Sequence, residues 1–146
     1  MKQKSKKLDN LPKSQIKVIN GKGAILGRLA SYVAKEALKG EEIVILNCDE
    51  VIISGNKQNI KINFERKRGR VGSGQKGPKH SRTSEKIVKR TIRGMMPGHR
   101  FGRGRQAFKR IKCYNGVPKE FENIKKIVAG KEKPIKFSKV EEFTKW

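Results

Sequence analysis

Apolar residues in this chain fall into two kinds of pattern. Short solid runs alternate with longer stretches in which an apolar side chain returns every third or fourth position. Ile16 to Asn20 is a short β-rich run and predicts a first strand. Gly21-Lys22-Gly23 turns the chain. Leu26, Leu29, Ala30, Val33 and Ala37 then recur at helical spacing, and Gly40 stops them. Strand, glycine turn and helix open a βαβ unit. Ile43 to Leu46 is apolar throughout, as a strand buried on both faces must be. Val51-Ile52-Ile53 is a third apolar run. Ser54-Gly55-Asn56 supplies a turn and a cap for a helix carrying Ile60 and Phe64.

The pattern then lapses. Residues 66 to 82 hold few apolar side chains and many Gly, Lys and Arg, with Gly69, Gly72, Gly74 and Gly77 lending flexibility. A loop this long in a small domain is expected to be functional, and mobile until it meets a partner. Ser81 or Thr83 starts the next helix, whose stripe is Ile87, Val88, Thr91, Ile92 and Met95. Lys86, Lys89, Arg90 and Arg93 cover its other side. Pro97 ends it, because proline cannot continue a helix. A basic loop follows, with Arg100, Arg103 and Arg105 set among Gly98, Gly102 and Gly104. From about Arg103 a short helix buries Ala107, Phe108 and Ile111 and feeds a strand ending at Tyr114. Beyond Gly116, Phe121, Ile124 and Val128 predict a short helix or an extended strip. Gly130 to Pro134 reads as a linker. Val140, Phe143 and Trp146 predict a terminal helical turn. The expected divisions are a basic tail over 1–15, an α/β domain over 16–116, and a C-terminal extension over 117–146. That extension, where acids return, should pack on the domain or on a neighbouring protein.

Charge changes the picture more than any motif. Among 146 residues, 37 are Lys or Arg and 13 are Asp or Glu, a formal net charge of +24. From Lys61 to Lys112 the only acids are Glu65 and Glu85. Such a surface repels itself unless a polyanion surrounds it. Cys48 and Cys113 have no C-x-x-C spacing, and His80 and His99 have no metal-ligand spacing to them, so no metal is expected. Two buried free thiols suit a reducing compartment. No apolar run is long enough to span a membrane, and the Lys-rich N-terminus lacks the apolar region of a signal peptide. The expected address is the cytoplasm.

Catalysis finds no support. Acids are scarce in the Gly-rich segments, and Glu65 and Glu85 read as helix-surface charges rather than an acid/base pair. Gly21, Gly23 and Gly27 resemble a dinucleotide fingerprint, but the spacing is looser and no acid ends a second strand about 20 residues on. The absence of Gly-Lys-Ser/Thr excludes a P-loop. No cofactor is expected. Aromatic residues make up only 6%, which argues against a stacking platform for single-stranded bases. Backbone and shape recognition of folded RNA fits best. The residues expected at that interface begin with Lys22 and Arg28 around the first turn. The long basic segment adds Arg66, Lys67, Arg68, Arg70, Lys76, Lys79, His80 and Arg82. Arg90 and Arg93 follow on the helix, then Arg100, Arg103, Arg105, Lys109 and Arg110. The alternatives are a free RNA-binding translational regulator and a nucleotide-dependent enzyme using the 21–27 turn.

Several ordered blocks carry a family resemblance. They are Gly27-Arg28-Leu29-Ala30-Ser31, Leu46-Asn47-Cys48-Asp49 with Ser54-Gly55-Asn56-Lys57, and Gly77-Pro78-x-His80 leading to Arg90-Thr91-x-Arg93-Gly94-Met95-Met96-Pro97. With Phe108-Lys109-Arg110-Ile111-Lys112-Cys113-Tyr114-Asn115-Gly116, they resemble the L-thirteen family, the thirteenth protein of the large ribosomal subunit. The third block resembles its archaeal and eukaryotic branch. The resemblance covers roughly Val18 to Gly116. It implies a three-layer α/β/α sandwich around a mainly parallel four-stranded sheet of order 3-2-1-4. It also implies a structural, non-enzymatic role on ribosomal RNA in the large subunit, beside neighbouring ribosomal proteins. No membrane, small-molecule substrate or homo-oligomer is expected, and assembly would pass through the nucleolus in a eukaryotic cell. Eukaryotic members usually continue into a longer basic extension, whereas this sequence ends at Trp146.

Overall fold

The structure, a computed structural model, describes residues 16–130 and 134–144. The expected N-terminal tail and Trp146 lie outside the described residues. The first strand, β1 (Ile16–Asn20), turns at Gly21 into helix α1 (Leu26–Lys39), which returns the chain to β2 (Glu42–Leu46). Gly21 is required there: a methyl group on it would sit 2.9 Å from Val51 Cγ2 and 3.0 Å from the Leu46 carbonyl oxygen. Gly40 ends α1 in the left-handed region at φ 112°, where a side chain would be strained. β1 and β2 pair in parallel, Ile16 opposite Glu42 through Asn20 opposite Leu46.

Next come β3 (Ile52–Ser54) and α2 (Lys57–Arg68). The Asn56 side chain caps α2 by accepting from the Gln58 N–H at 3.0 Å. After a basic loop, α3 (Ser84–Gly94) and α4 (Gly102–Lys109) lead into β4 (Ile111–Cys113). The chain closes with β5 (Lys126–Val128) and β6 (Phe137–Lys139), then a 3-10 turn over Val140–Phe143 where a terminal helical turn was expected.

The main sheet has four strands in the order β4-β2-β1-β5, all neighbours parallel. Numbered along the chain within this sheet, the order is 3-2-1-4, as the resemblance implies. The strands filling that order differ from those the apolar runs pointed to. The Val51-Ile52-Ile53 run does not join this sheet. Its strand, β3, pairs antiparallel with β6 in a separate two-stranded sheet. The fourth place belongs to Lys126–Val128, which pairs with Val18, Ile19 and Asn20. The segment after Gly116 thus completes the sheet.

The two faces of the sheet are covered unequally. Ile19, Ile43, Ile45 and Ile111 point toward α1, α3 and α4, where Leu29, Val33, Val88, Ile92 and Ala107 meet them. On the reverse face Val18, Val44 and Leu46 pack under Phe121, with Tyr114, Val117 and Ile124 around it. That covering layer is the chain from 114 to 124 with a single 3-10 turn, Lys119–Phe121. Ile43 through Leu46 are fully buried, which explains their unbroken apolar run. Burial of each contributes about 1.5–3 kcal/mol relative to exposure.

Candidate nucleic-acid interface

The basic residues divide sharply by their partners. Ion pairs gather around α1 and the chain ends: Lys17 and Lys39 on Glu36, Lys22 on Glu50, Lys57 on Glu142. Glu65 is occupied by Lys61 at 3.9 Å. Arg68 aside, no Lys or Arg from Arg66 to Lys112 forms an ion pair with a described residue. The uncompensated charge is carried by α2, the following loop, α3, α4 and the start of β4. Held together with only Glu65 and Glu85 against it, this charge repels itself and favours an anionic partner.

Two helices bring part of this charge into one cleft of about 230 Å³, which the loop between them completes. Lys67 comes from the last turn of α2, His80 from the loop, and Lys86 and Arg90 from α3, over a floor of Phe64 and Ile87. Arg90 fixes the loop to α3. It donates from Nη1 to the Lys79 carbonyl at 3.0 Å, and its Nη2 lies 3.3 Å from His80 Nε2. An arginine is always protonated, so Nε2 accepts and the imidazole is neutral with its proton on Nδ1. Burial lowers the His80 pKa first, and Arg90, Lys67, Arg70 and Arg68 lower it further. A second cleft, of about 260 Å³, lies between α3 and β4 and is lined by Lys86, Lys89 and Lys112 with the one acid Glu85. Lys89 reaches α4, its Nζ 5.2 Å from the centre of the Phe108 ring.

The loops differ from expectation in extent and order. Arg66, Lys67 and Arg68 lie on α2, and Arg103, Arg105 and Lys109 on α4. The glycines after Gly69 serve close approach as well as turning. Gly77 N–H donates to the Val71 carbonyl at 2.8 Å, closing a tight loop. A methyl group on Gly72 would fall 2.4 Å from Gly77 Cα. Gly104 is more constrained still, since its methyl group would fall 1.6 Å from the Pro97 carbonyl oxygen. That contact locks the first turn of α4 onto the loop carrying Arg100.

Not every expected residue joins this surface. Lys22 sits at the β1–α1 turn, its Nζ 3.5 Å from Glu50. Arg28 is exposed one turn into α1. Arg110 lies at the opposite end of the sheet, donating to the last-turn carbonyl of Ala37 at 3.4 Å. Arg68 donates to the Phe143 carbonyl and lies over the Phe64 ring, 5.8 Å from its centre, so it ties α2 to the C-terminal turn. Arg70, Lys76, Lys79, Arg82, Arg100, Arg103 and Arg105 are exposed, while Arg93 is half-buried. Lys86, Lys89 and Lys112 line the clefts but were not among the residues expected at the interface. The signal was present on α3, where Lys86 precedes Arg90 by four and Lys89 precedes Arg93 by four.

The nucleotide alternative meets a filled space. Gly130 packs over the β1–α1 turn so closely that a methyl group on it would stand 2.5 Å from the Lys22 carbonyl oxygen. The chain itself covers the turn where a pyrophosphate would approach.

Comparison with known proteins agrees with the fold. A sequence model of the family described as Ribosomal protein L13 matches residues 14–120. The large ribosomal subunit protein uL13 of Methanocaldococcus jannaschii is 49% identical over 113 residues, covering 75% of this chain and 82% of that protein. Its counterpart from Methanosphaera stadtmanae is 39% identical over 127 residues, covering 85% and 89%. The Caenorhabditis elegans protein is 42% identical over 115 residues, covering 77% of this chain but 56% of that longer protein. The parallel 3-2-1-4 sheet, the ordered sequence blocks and these matches together place the chain in the Ribosomal protein L13 family, in its archaeal and eukaryotic branch.

Proposed function

We propose that this chain is a structural constituent of the large ribosomal subunit that binds folded ribosomal RNA and supports subunit assembly. Its family consists of structural ribosomal components rather than enzymes. The observation that carries the RNA reading is the charge from Arg66 to Lys112, Arg68 aside, that no described acid pairs, displayed by α2, the following loop, α3 and α4. Guanidinium and ammonium groups there meet phosphate oxygens without reading base edges. Scarce aromatics favour shape and backbone recognition of a structured RNA. The exposed residues at 70–82, with Arg100, Arg103 and Arg105, enter between RNA helices, and the α2–α3 side docks against them. Residues 117–130 and 134–144 pack on the domain and face neighbouring ribosomal proteins. The site of action is the cytoplasmic ribosome, with nucleolar assembly in a nucleated cell.

Sedimentation of a cell lysate on a sucrose gradient tests this, following the chain by mass spectrometry at moderate and high salt. The chain should travel with the large subunit and survive the salt wash. Recovery at the top of the gradient at moderate salt would overturn the proposal.

A further inference from the structure

The α2–α3 cleft carries more than a share of the positive surface. Its polar lining brings cationic donors from two helices, Lys67 on α2 and Lys86 and Arg90 on α3, together around one imidazole from the loop, with no carboxylate among its lining residues. A metal cation is therefore excluded as its occupant. A stacked base is excluded too. One face of Phe64 lies on Phe143 at 5.1 Å and 7°, and the Arg68 guanidinium also sits over the ring. What remains is an anion small enough for about 230 Å³ with several acceptor oxygens.

We propose that this cleft binds one RNA phosphate, and that its occupancy transfers a proton from solvent to His80, so that RNA binding by this chain is proton-coupled. The proposal rests on the RNA-binding reading above and deepens it. The charged groups acting on His80 are Arg90 from α3, Lys67 and Arg68 from α2, and Arg70 from the loop, all of one sign. In the free chain they hold the ring neutral, and Nε2 accepts from Arg90. A phosphate between Lys67, Lys86 and Arg90 reverses the local field. Arg90 Nη2 then turns to a phosphate oxygen, Nε2 loses its donor and takes a proton, and the imidazolium donates to the same anion. The half-burial of His80 and Arg90 strengthens both the repulsion before binding and the attraction after it.

The probe is large-subunit ribosomal RNA stripped of protein, titrated with the full chain by filter binding at about pH 6 and about pH 8, a span centred near an ordinary imidazole. Wild-type affinity should rise roughly five- to tenfold toward the lower pH, the size of about one unit of difference in proton affinity. His80→Gln should lose that rise, while His99→Gln, altering the other histidine, should keep it. Calorimetry near neutral pH in two buffers of different ionisation heat should show net proton uptake by the wild type and none by His80→Gln. A wild type indifferent to pH, or a His80→Gln chain that keeps the rise, overturns the proton coupling and leaves the RNA interface standing. An absence of binding at both pH values overturns the RNA reading itself. Inorganic phosphate at matched ionic strength, followed by the His80 ring resonances, provides the other arm. If it shifts the imidazole titration as far as RNA does, the cleft is a free-anion site and the RNA assignment fails.

Discussion

Gly104 offers a test in which helix propensity and geometry predict opposite signs. It lies inside α4, where glycine in place of alanine costs about 0.5–1 kcal/mol. On propensity alone, Gly104→Ala should stabilise. The added methyl group, however, would lie 1.6 Å from the Pro97 carbonyl oxygen, 2.8 Å from its carbon and 3.2 Å from the Gly98 carbonyl carbon. Restoring ordinary contact means opening the loop from the helix by about 2 Å against close-packed surroundings. The obstacle is backbone, so no side-chain rotation relieves it. Overpacking costs about 1–3 kcal/mol, and an overlap this deep belongs at the upper end. Net destabilisation of about 2 kcal/mol is expected after the propensity gain. With a urea slope of about 1–3 kcal/mol/M, the midpoint should fall by roughly 1 M at unchanged slope. Gly27→Ala is the counterpart. Gly27 lies in α1 with nothing within 4 Å of an added methyl group, and should gain about 0.5–1 kcal/mol. A Gly104→Ala chain as stable as wild type would refute the contact between α4 and the 97–98 loop.

Replacing Arg103 and Arg105 together by Ala should weaken RNA binding and lower the salt slope by about 1.4–1.8, at about 0.7–0.9 for each phosphate no longer neutralised, and an unchanged slope would remove both from the interface. Glu36 accepts from Lys17 and Lys39, which hold its carboxyl at about 2 against a usual 4.5. Its contribution is therefore complete above about pH 4.5 and is lost as pH falls toward 2, so Glu36→Gln should flatten the acid limb of a stability–pH profile. Phe143 is 1% exposed and stacks on Phe64, so Phe143→Ala should cost about 3–5 kcal/mol in urea unfolding, and a loss under about 1 kcal/mol would count against the docking of the C-terminal turn. Salt should raise the melting temperature of the free chain by screening the repulsion around α2 and α3 while weakening its RNA complex; a melting temperature that falls with salt would contradict the clustering of like charge.

How much of this was legible depended on what each residue had to satisfy locally. Ile43 to Leu46 announced a central strand because both faces are buried. Lys126-Ile127-Val128 did not, because an edge strand is half-solvated: Ile127 and Val128 remain exposed. Val51-Ile52-Ile53 was readable as apolar, but no local signal says whether such a run pairs with β2 or with a strand some eighty residues later. The glycines were legible as breaks. Their closest approaches were hidden, since Gly77 meets Val71 and Gly104 meets Pro97 only in three dimensions. At the interface the charge was legible from composition. The cleft was not, because it needs α2 and α3 side by side, and Lys86 looked like one more solvated helix residue.

Three of the arginines expected on RNA, Arg68, Arg90 and Arg110, donate to backbone carbonyls, of Phe143, Lys79 and Ala37. Such contacts invite a purely structural reading, but a carbonyl accepts a hydrogen bond without cancelling charge. An arginine held this way keeps its full positive field while losing rotamer freedom before any partner arrives. A carboxylate partner would have done the opposite, holding the side chain while neutralising it, as Glu36 does for Lys17. Ordering a long cationic side chain on binding costs about 0.5–1.5 kcal/mol, and the carbonyl anchors have met part of that cost in the folded chain. The bond that closes the loop over α3 thus leaves the Arg90 charge fixed in the cleft where a phosphate is proposed to sit. At Arg90 the contact that builds the fold and the charge proposed to meet RNA belong to one side chain.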